Sequence, residues 1–294
     1  MASVYKSAEA QSLIQDWCRN RIDTWDVEHR RGDVVTVAGV TSVVAAGMDR
    51  ATAPTIVLVP GTNMNAAVSL RFAEKLARRW PTIILDVPGQ PGLSADRRPR
   101  RNRLAWYGHW LTDVLEHAIP GSAVVVGHSL GGAIALACPS PRIAGRVLVS
   151  PAGLVRLAVT PAILAATIPW LARPTTARTN RLLGHMLAPE HGVDEELGNW
   201  MTLVARHCRS SLAPMPLPEA TLAAAGRAAP CLVATGRHDV FLPPRRVGPA
   251  VRRSLKTELR SMAHCGHLSL DEQPDEIVAL VAEVVTRYPG ASTT

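Results

Sequence analysis

Short apolar runs rich in β-branched residues recur along the chain and alternate with longer segments of helical spacing. The apolar runs, at residues 55–59, 82–86, 123–126, 146–149 and 231–235, have the pattern of strands buried on both faces. Segments such as 6–22, 66–80, 104–118 and 275–288 instead space apolar residues three and four positions apart, which is typical of helices packed by one face. This alternation predicts an α/β fold built on a mostly parallel sheet.

Two regions depart from the alternation. Residues 34–37 and 40–46 are interpreted as two strands joined at Gly39, and 257–259 as a short final strand, which brings the expected sheet to eight strands. Between 154 and 220 no strand-like alternation occurs, and prolines interrupt the helical spacings. We therefore expect a core of residues 1–153 and 221–294, with a leader helix within residues 1–30, and a helical insertion at 154–220.

Composition changes this picture little. The 294 residues suffice for one large α/β domain with an insertion, and 47% hydrophobic content is ordinary for a globular protein. The net charge is +8, and only three of the 32 basic residues are lysine. This arginine bias is consistent with an anionic substrate or an acidic partner, and equally with a bias in genome composition.

Cysteine usage and hydropathy bear on the compartment. The five cysteines are scattered and odd in number, with no Cys-x-x-Cys pair, so we expect neither a disulfide framework nor a zinc site and favour a reducing cytoplasm. No signal peptide is evident, because Lys6, Glu9 and Asp16 interrupt the first apolar residues. The most apolar segment, 154–172, contains a charge and two prolines, which argues against a membrane span.

The most informative motif lies at the end of the third buried run. Gly127-His128-Ser129-Leu130-Gly131 stands between an apolar strand pattern and a helical one, which is the arrangement of a nucleophile elbow. Side chains at the two glycine positions would clash where strand and helix converge. An ordinary glycine-rich turn is the alternative, and the flanking strand and helix favour the elbow. Two later segments, Gly236-Arg237-His238-Asp239 and Gly266-His267, follow in the order that partners of such a serine require.

Together these residues resemble the serine hydrolases of the α/β-hydrolase fold family, over about residues 34–288. The resemblance implies a mostly parallel eight-stranded sheet flanked by helices, with a helical cap inserted at 154–220. It also implies a triad of Ser129 as nucleophile, Asp239 as acid and His267 as general base. Glu258 is a weaker candidate for the acid, and His264 for the base. The 266–274 segment matches the family's Gly-His-x-x-x-x-Glu-x-Pro pattern.

The oxyanion that forms on an acyl carbon needs two backbone N–H donors. By resemblance one is Leu130, and the other comes from the loop at 60–65, where Thr62 is the first choice and Asn63 the second. Asn65 is a further candidate for contact with substrate. A cap would supply the apolar walls of the pocket, and each candidate there also fits a role in the cap's own core; the candidates are Trp170, Met186, Leu187, Trp200 and Met201.

Other notable segments receive plainer interpretations. The loop at 86–94 resembles the family's Asp-x-Pro-Gly-x-Gly-x-Ser loop with Pro91 inserted, and we expect a structural role. The basic run at 97–103 could bind phosphate or nucleic acid, but it lacks interleaved aromatic residues, so a solvated loop is the favoured interpretation. His185, His191 and His207 lack the ligand spacing of a metal site. We expect no metal and no cofactor.

The leading hypothesis is a hydrolase of a carboxylic ester, thioester or lactone, acting on a small-molecule acyl substrate of small or medium apolar character. An alternative is an acyl-processing enzyme of a biosynthetic pathway: a thioesterase, an acyl transferase, or a catalyst of elimination or ring closure. Its substrate could be presented by an acidic carrier protein. A non-catalytic binding protein on the same fold is a third possibility. We expect no nucleic acid and no membrane as partners, and the oligomeric state stays open.

Overall fold

The computed structural model describes residues 2–50, 54–210 and 213–287. Its main feature is an eight-stranded sheet with the strand order β10-β9-β8-β7-β4-β5-β3-β2. The pairs β2–β3 and β3–β5 are antiparallel, and all other neighbours in this sheet are parallel. The strands of this sheet are β2 His29–Thr36, β3 Gly39–Ala46, β4 Thr55–Val59, β5 Thr82–Leu85, β7 Ala123–His128, β8 Ile143–Val149, β9 Cys231–Gly236 and β10 Leu259–Met262. A small second sheet pairs β1 Ala2–Ser3 with β6 Arg97–Arg98.

Helices cover both faces of the large sheet. Alternate residues of the central strands point to opposite faces, so Ile56 and Leu58 belong to one core while Val57 and Val59 belong to the other. The helices are α1 Ala8–Asp23, α2 Leu70–Ala77, α3 Arg103–Ala118, α4 Leu130–Ala137, α5 Pro161–Ala172, α6 Thr176–Gly184, α7 Glu195–His207, α8 Glu219–Ala228, α9 Pro244–Ala250, α10 Ser269–Glu272 and α11 Pro274–Thr286. A π-helical segment, Val251–Leu255, continues α9.

The two cores lie between the sheet and these helices. The first contains apolar residues of α1, α2, α11 and the inserted helices, and the second contains those of α3, α4, α8 and α9. Strand β7 is buried at all six positions because both of its faces are covered. Burial of each such valine contributes about 1.5–3 kcal/mol. The sheet therefore provides a rigid platform for residues at its carboxyl ends.

The predicted α/β fold with eight strands is confirmed, and the differences lie at element boundaries. Strand β2 begins at His29, five residues before the predicted start at residue 34. Its first residues are polar and exposed because β2 is an edge strand, so they carry no apolar signal and are specified by pairing with β3. Strand β10 starts at Leu259 rather than residue 257, and α2 is shorter than the predicted 66–80 helix.

Helices α5, α6 and α7 pack against one another in the segment between β8 and β9. The leader helix α1 packs against α7, where the Trp17 and Trp200 rings lie 4.6 Å apart and Arg21 pairs with Glu196. The N-terminal segment and the inserted helices are therefore joined directly. Within the described ranges, none of the helices combines the length and apolar character needed to cross a bilayer.

Candidate active site

Ser129 occupies the sharp turn between β7 and α4. Its backbone has φ 49° and ψ −109°, which is an unfavourable combination for a residue with a side chain. The turn is held by hydrogen bonds from its N–H to the Val149 carbonyl (3.0 Å) and from the Ala152 N–H to its own carbonyl (2.9 Å). This strained position lifts the hydroxyl out at the carboxyl end of the strand, as the motif predicts.

Two glycines make this turn possible through close approach. A Cβ atom at Gly131 would lie 1.9 Å from the Val59 carbonyl oxygen, and one at Gly127 would lie 2.6 Å from the Gly131 carbonyl oxygen. Both distances are far shorter than a van der Waals contact, and the obstructing atoms belong to backbone. The Gly-x-Ser-x-Gly spacing is therefore a packing requirement at the point where β4, β7 and α4 meet.

The structure brings three predicted residues together. The Nε2 atom of His267 lies 3.2 Å from Ser129 Oγ, and its Nδ1 atom lies 2.9 Å from Asp239 Oδ2. All three side chains are buried, with Ser129 the most accessible at 9% exposed. A proton on Nδ1 would be donated to the carboxylate, which leaves Nε2 to accept a hydrogen bond from the serine hydroxyl.

Asp239 lies in the turn after β9, and its surroundings keep it ionised. Its Oδ1 atom accepts hydrogen bonds from the N–H groups of Phe241 (2.9 Å) and Leu242 (2.8 Å). Burial alone raises the pKa of this carboxyl, but the charge and hydrogen bond of His267 and the Leu242 N–H outweigh it and lower the pKa to about 2. A fixed negative charge therefore faces the imidazole at neutral pH.

Two residues that the sequence did not single out hold His267 in place. The carboxylate of Glu272 accepts hydrogen bonds from the N–H groups of Gly266 and Ala188, the latter at 2.7 Å. The Nε2 atom of the His128 ring lies 2.8 Å from the His267 carbonyl oxygen. Burial, followed by the proximity of His267, lowers the pKa of His128 to about 4, so it is neutral and donates from Nε2. The Glu in the Gly-His-x-x-x-x-Glu-x-Pro pattern was the available signal for Glu272.

The two alternative residues lie elsewhere. Glu258 is exposed and faces Arg252 at 3.5 Å. His264 is exposed and hydrogen-bonds Glu190 at 2.5 Å through Nδ1. Neither takes part in the Ser129–His267–Asp239 arrangement, so the geometry separates them from the preferred pair.

The loop after β4 supplies one free backbone donor close to Ser129. In the described part of the chain, the N–H groups of Thr62 and Leu130 donate to no protein acceptor, and both residues border the same cavity. The second choice, Asn63, is corrected by the structure. Its N–H donates to Gln90 Oε1 at 3.0 Å, so it is already engaged. Thr62 and Leu130 are thus the two predicted donors whose N–H groups remain unengaged in the described part of the chain.

The cavity has a volume of about 780 Å³. Its lining includes Thr62, Leu130, Arg100, residues 102–105 and residues 213–218. Ser129 is not itself a wall residue, but it adjoins Leu130 in the chain. A space of this size fits a drug-sized molecule.

None of the six predicted substrate contacts borders this cavity. Asn65 is buried, and its amide donates to the Pro91 carbonyl at 3.0 Å and accepts from the Val68 N–H at 3.0 Å. The Trp170 indole donates to Thr179 Oγ1, and the Trp200 indole to the Asn63 carbonyl. Burial and internal hydrogen bonds use these three side chains for packing, so none of them is placed to line this cavity.

The remaining three cap residues also lie outside the cavity. Met201 is buried in the first core, and Leu187 borders a separate cavity of about 240 Å³ beside α2 and α10. Met186 contributes through its backbone: its carbonyl accepts the His267 N–H at 2.6 Å. Spacing on a helix identified apolar residues correctly but could not tell which face of the insertion meets the site.

The basic run at 97–103 is only partly the solvated loop that its sequence favoured. Arg97 and Arg98 form β6, and the Arg98 guanidinium donates to the Gly89 carbonyl. Arg100 and Arg103 border the cavity. The loop therefore belongs to the wall of the candidate site. The loop at 86–94 has the structural role expected of it, since the Asp86 carboxylate accepts the N–H groups of Ala66 and Leu93.

No group of three His, Cys, Asp or Glu side chains in the described ranges is arranged to hold a metal ion. The residues at the site instead provide a serine hydroxyl, an imidazole, a carboxylate and two free amides. Together these groups are the ones that nucleophilic attack on an acyl carbon requires.

The fold and this elbow geometry define the class of serine-elbow α/β hydrolases, and sequence comparison agrees. The profile of the alpha/beta hydrolase family matches residues 56–280, so the chain belongs to that family. It is 27% identical over 256 residues to the hydrolase YugF of Bacillus subtilis (strain 168). The aligned region covers 79% of this chain and 89% of YugF. The protein is an enzyme of the hydrolase type.

Solved structures share the fold at low sequence identity. Carboxylesterase CesB (YbfK) from Bacillus subtilis superposes with a TM-score of 0.77 at 17% identity, covering 95% of this chain and 99% of that one. Naproxen esterase (carboxylesterase NP), also from Bacillus subtilis, superposes with a TM-score of 0.78 at 18% identity and the same coverage.

Proposed function

We propose that the protein hydrolyses a carboxylic ester, or a related thioester or lactone, through an acyl-enzyme on Ser129. The observation that carries the proposal is the chain of contacts from Ser129 Oγ to His267 Nε2 (3.2 Å) and from His267 Nδ1 to Asp239 Oδ2 (2.9 Å). The names of the two structural neighbours, both carboxylesterases, are consistent with it.

In the first half of the reaction His267 takes the proton of Ser129 as the oxygen attacks the acyl carbon. A serine hydroxyl is a weak nucleophile at neutral pH, so this transfer is what activates it. Asp239 holds the imidazole in the tautomer that leaves Nε2 free, and its charge stabilises the imidazolium that forms. The imidazolium then gives its proton to the leaving alcohol or thiol, and the acyl group stays on Ser129.

The negative charge of the tetrahedral intermediate falls on the former carbonyl oxygen. The unengaged N–H groups of Thr62 and Leu130 are suited to receive it, and such donors contribute about 10²–10³ in rate each. In the second half, His267 deprotonates a water molecule, which attacks the acyl-enzyme and releases the acid. In this proposal the inserted helices act as the cap over the site.

All five cysteines are free and buried, which fits a reducing compartment, and we infer a cytoplasmic protein on this basis.

The test is turnover of p-nitrophenyl hexanoate by the wild type and by Ser129→Ala. We expect the substitution to abolish turnover and labelling by a fluorophosphonate probe, because no other hydroxyl in the described chain is placed against His267 Nε2. Ser261→Ala, at an exposed position of β10, is the matched control and should behave as wild type. Turnover by Ser129→Ala at the wild-type rate would disprove the proposal.

A further inference from the structure

The loop after β4 contains a tight turn, which we call the oxyanion turn: Gly61, Thr62, Asn63 and Met64. It is closed by a hydrogen bond from the Met64 N–H to the Gly61 carbonyl oxygen at 3.1 Å. Asn63 has φ 63°, in the left-handed region that asparagine adopts more readily than most residues with a side chain. The turn therefore has a backbone form that its surroundings must maintain.

The oxyanion turn packs directly against the nucleophile elbow. A Cβ atom at Gly61 would lie 2.9 Å from His128 Nδ1 and 3.4 Å from Ser129 Cβ. Thr62, the next residue along the turn, borders the same cavity as Leu130. A small displacement of the turn would consequently change where the Thr62 N–H lies relative to the serine.

The closing hydrogen bond orients the peptide unit that carries this N–H. The Gly61 carbonyl and the Thr62 N–H belong to one planar peptide, and in the trans form they point in opposite directions. Because the carbonyl is engaged inside the turn, the N–H is directed out of it. It donates to no protein acceptor in the part of the chain that the structure describes.

Two side chains from distant parts of the chain hold the other peptide units of the turn. Gln90 Oε1 accepts the Asn63 N–H at 3.0 Å, which fixes the peptide before Asn63. The Trp200 indole N–H donates to the Asn63 carbonyl oxygen at 2.8 Å, which fixes the peptide after it. With the closing bond, each of the three peptide units from Gly61 to Met64 is engaged.

Both side chains are buried, and neither borders the cavity. The Trp200 ring packs against the Trp17 ring of the leader helix, with the centroids 4.6 Å apart. The Nε2 atom of Gln90 is buried and has no hydrogen-bond partner within the described residues. A buried donor without a partner is destabilising, so the bond through Oε1 to Asn63 is what this amide contributes.

We propose that Gln90 and Trp200 are positioning residues for the reaction. They hold the oxyanion turn so that the Thr62 N–H stays aligned with the negative charge of the tetrahedral intermediate. The proposal rests on the hydrolase function above, in which Thr62 and Leu130 receive that charge. Trp200, which the sequence suggested as a substrate contact, acts instead through the turn, and by this route the inserted helix α7 takes part in catalysis.

Trp200→Phe and Gln90→Met each remove one of the two bonds and keep a side chain of similar shape. We expect each to lower kcat for p-nitrophenyl hexanoate about 10-fold with KM nearly unchanged, because the oxyanion forms only after the ester has bound. The double variant should lose no more than about 10²–10³-fold, the contribution of one oxyanion donor. A change confined to KM, or a larger loss in the double variant, would contradict the proposal.

Trp170→Phe is the matched control. It removes a buried indole hydrogen bond of the same insertion, from Trp170 Nε1 to Thr179 Oγ1 at 3.0 Å, and should leave kcat at the wild-type value. An equal loss in Trp170→Phe and Trp200→Phe would indicate general loosening of the inserted helices and overturn the proposal. Should Trp200→Phe fail to fold, Gln90 carries the test, since Gln90→Glu keeps an acceptor oxygen and should recover activity that Gln90→Met loses. Equal losses in the two Gln90 variants would refute a role for that oxygen.

Inhibition by hexyl trifluoromethyl ketone reports on the oxyanion directly. The Ser129 oxygen bonds to the ketone carbon, its proton passes to His267, and the carbonyl electron pair moves to the ketone oxygen, so the adduct carries the charge without losing a group. We expect the inhibition constant to rise in Trp200→Phe and Gln90→Met by the factor by which kcat/KM falls, whereas that of octanol stays constant. An unchanged inhibition constant for the ketone would overturn the proposal.

Failure of this proposal can be told apart from failure of the proposed function. Wild-type protein that neither hydrolyses the ester nor reacts with a fluorophosphonate probe would refute the hydrolase function. Wild-type turnover, with kcat in Trp200→Phe and Gln90→Met equal to that of Trp170→Phe, would refute only the positioning role.

Discussion

The triad end of the sheet and the wall formed by residues 213–218 differ in how firmly each is held. Ser129, Asp239 and His267 each follow a strand of the central sheet and have backbone or carboxylate groups fixed by several hydrogen bonds. The 213–218 segment contains three prolines, and its Met215 is 56% exposed. The Leu217 N–H donates a hydrogen bond to the Gly153 carbonyl oxygen. Topology thus fixes the three residues proposed for catalysis, while loops line the neighbouring cavity.

The largest expected effect is on the triad side. Asp239→Asn should lower kcat by about 10⁴-fold, because an amide cannot hold the imidazole in the tautomer that leaves Nε2 free to take the serine proton. The measurement is steady-state turnover of p-nitrophenyl hexanoate, with circular dichroism to establish that the variant is folded. Asp33→Asn, at an exposed position of the edge strand β2, is the control. A loss of less than 10-fold in the folded Asp239→Asn variant would contradict the assigned role.

Gly131→Ala tests how tightly the elbow is packed. Its Cβ would meet the Val59 carbonyl oxygen at 1.9 Å, and we expect a loss of about 3 kcal/mol or more in the free energy of unfolding. Denaturant titration measures it. Gly184→Ala, at a helical glycine with open space around it, should instead be neutral or stabilise by up to about 1 kcal/mol. Similar values for both variants would disprove the packing argument.

His128 predicts a pH dependence of stability. Its pKa is lowered to about 4 in the folded state, so between pH 6.5 and pH 4 the unfolded chain binds a proton that the folded chain does not. The contribution of neutral His128 to the free energy of unfolding is fully present above pH 6.5. About 3 kcal/mol of it is lost by pH 4. Asp86, whose pKa burial raises to about 6, acts with the opposite sign in this range.

The difference in unfolding free energy between wild type and His128→Gln separates the effect of His128 from that of Asp86, which both proteins contain. We expect the unfolding free energy of wild type minus that of the variant to fall by about 3 kcal/mol from pH 7 to pH 4, as measured by denaturant titration at each pH. Asn199→Gln, an exposed substitution that removes no titratable group, is the control and should give a constant difference. A constant difference for His128→Gln as well would contradict its neutral, buried state.

Glu272→Gln tests the support of the histidine loop. One of its two oxygens becomes an amide that cannot accept the N–H of Gly266 or Ala188, so we expect kcat to fall about 10-fold with KM nearly unchanged. Glu276→Gln, at an exposed position of α11, should have no effect. A change in KM alone would indicate that Glu272 influences binding and not the position of His267.

The smallest effect on stability is expected in the loop wall. Met215→Ala should change the unfolding free energy by less than about 0.5 kcal/mol, because the side chain is largely exposed. It should nevertheless lower kcat/KM for p-nitrophenyl hexanoate by about 3-fold relative to the acetate ester, through lost contact with the acyl chain. An equal change for both esters would place Met215 outside the acyl path.

The same contrast explains what the sequence could predict. The apolar run at 123–126 and the glycines at 127 and 131 identify the elbow, because buried strands and close backbone approach leave strong local patterns. The order of Asp239 and His267 identified their partnership through the resemblance alone. The edge strand β2 escaped full detection because its exposed half is polar.

The predicted substrate contacts do not border the 780 Å³ cavity, and the reason is physical. Trp200 and Trp170 are large apolar residues of the insertion, but a helical period does not reveal which neighbour a buried face meets. The indole of Trp200 is directed to the Asn63 carbonyl, 137 positions away in the chain. Conversely, Arg100 and Arg103 were discounted because their run looked solvated, whereas the position of α3 sets them beside the cavity. Long-range placement, not residue type, decides these roles.

The carbonyl of Met186, which belongs to the inserted segment, accepts the N–H of His267 at 2.6 Å. The position of His267, the proposed general base, therefore depends partly on the segment between β8 and β9. In the proposed mechanism, any displacement of residues 186–188 would also displace the imidazole from Ser129. Substrate entry beside residues 213–218 would leave residues 186–188 in place and the three proposed catalytic residues in contact.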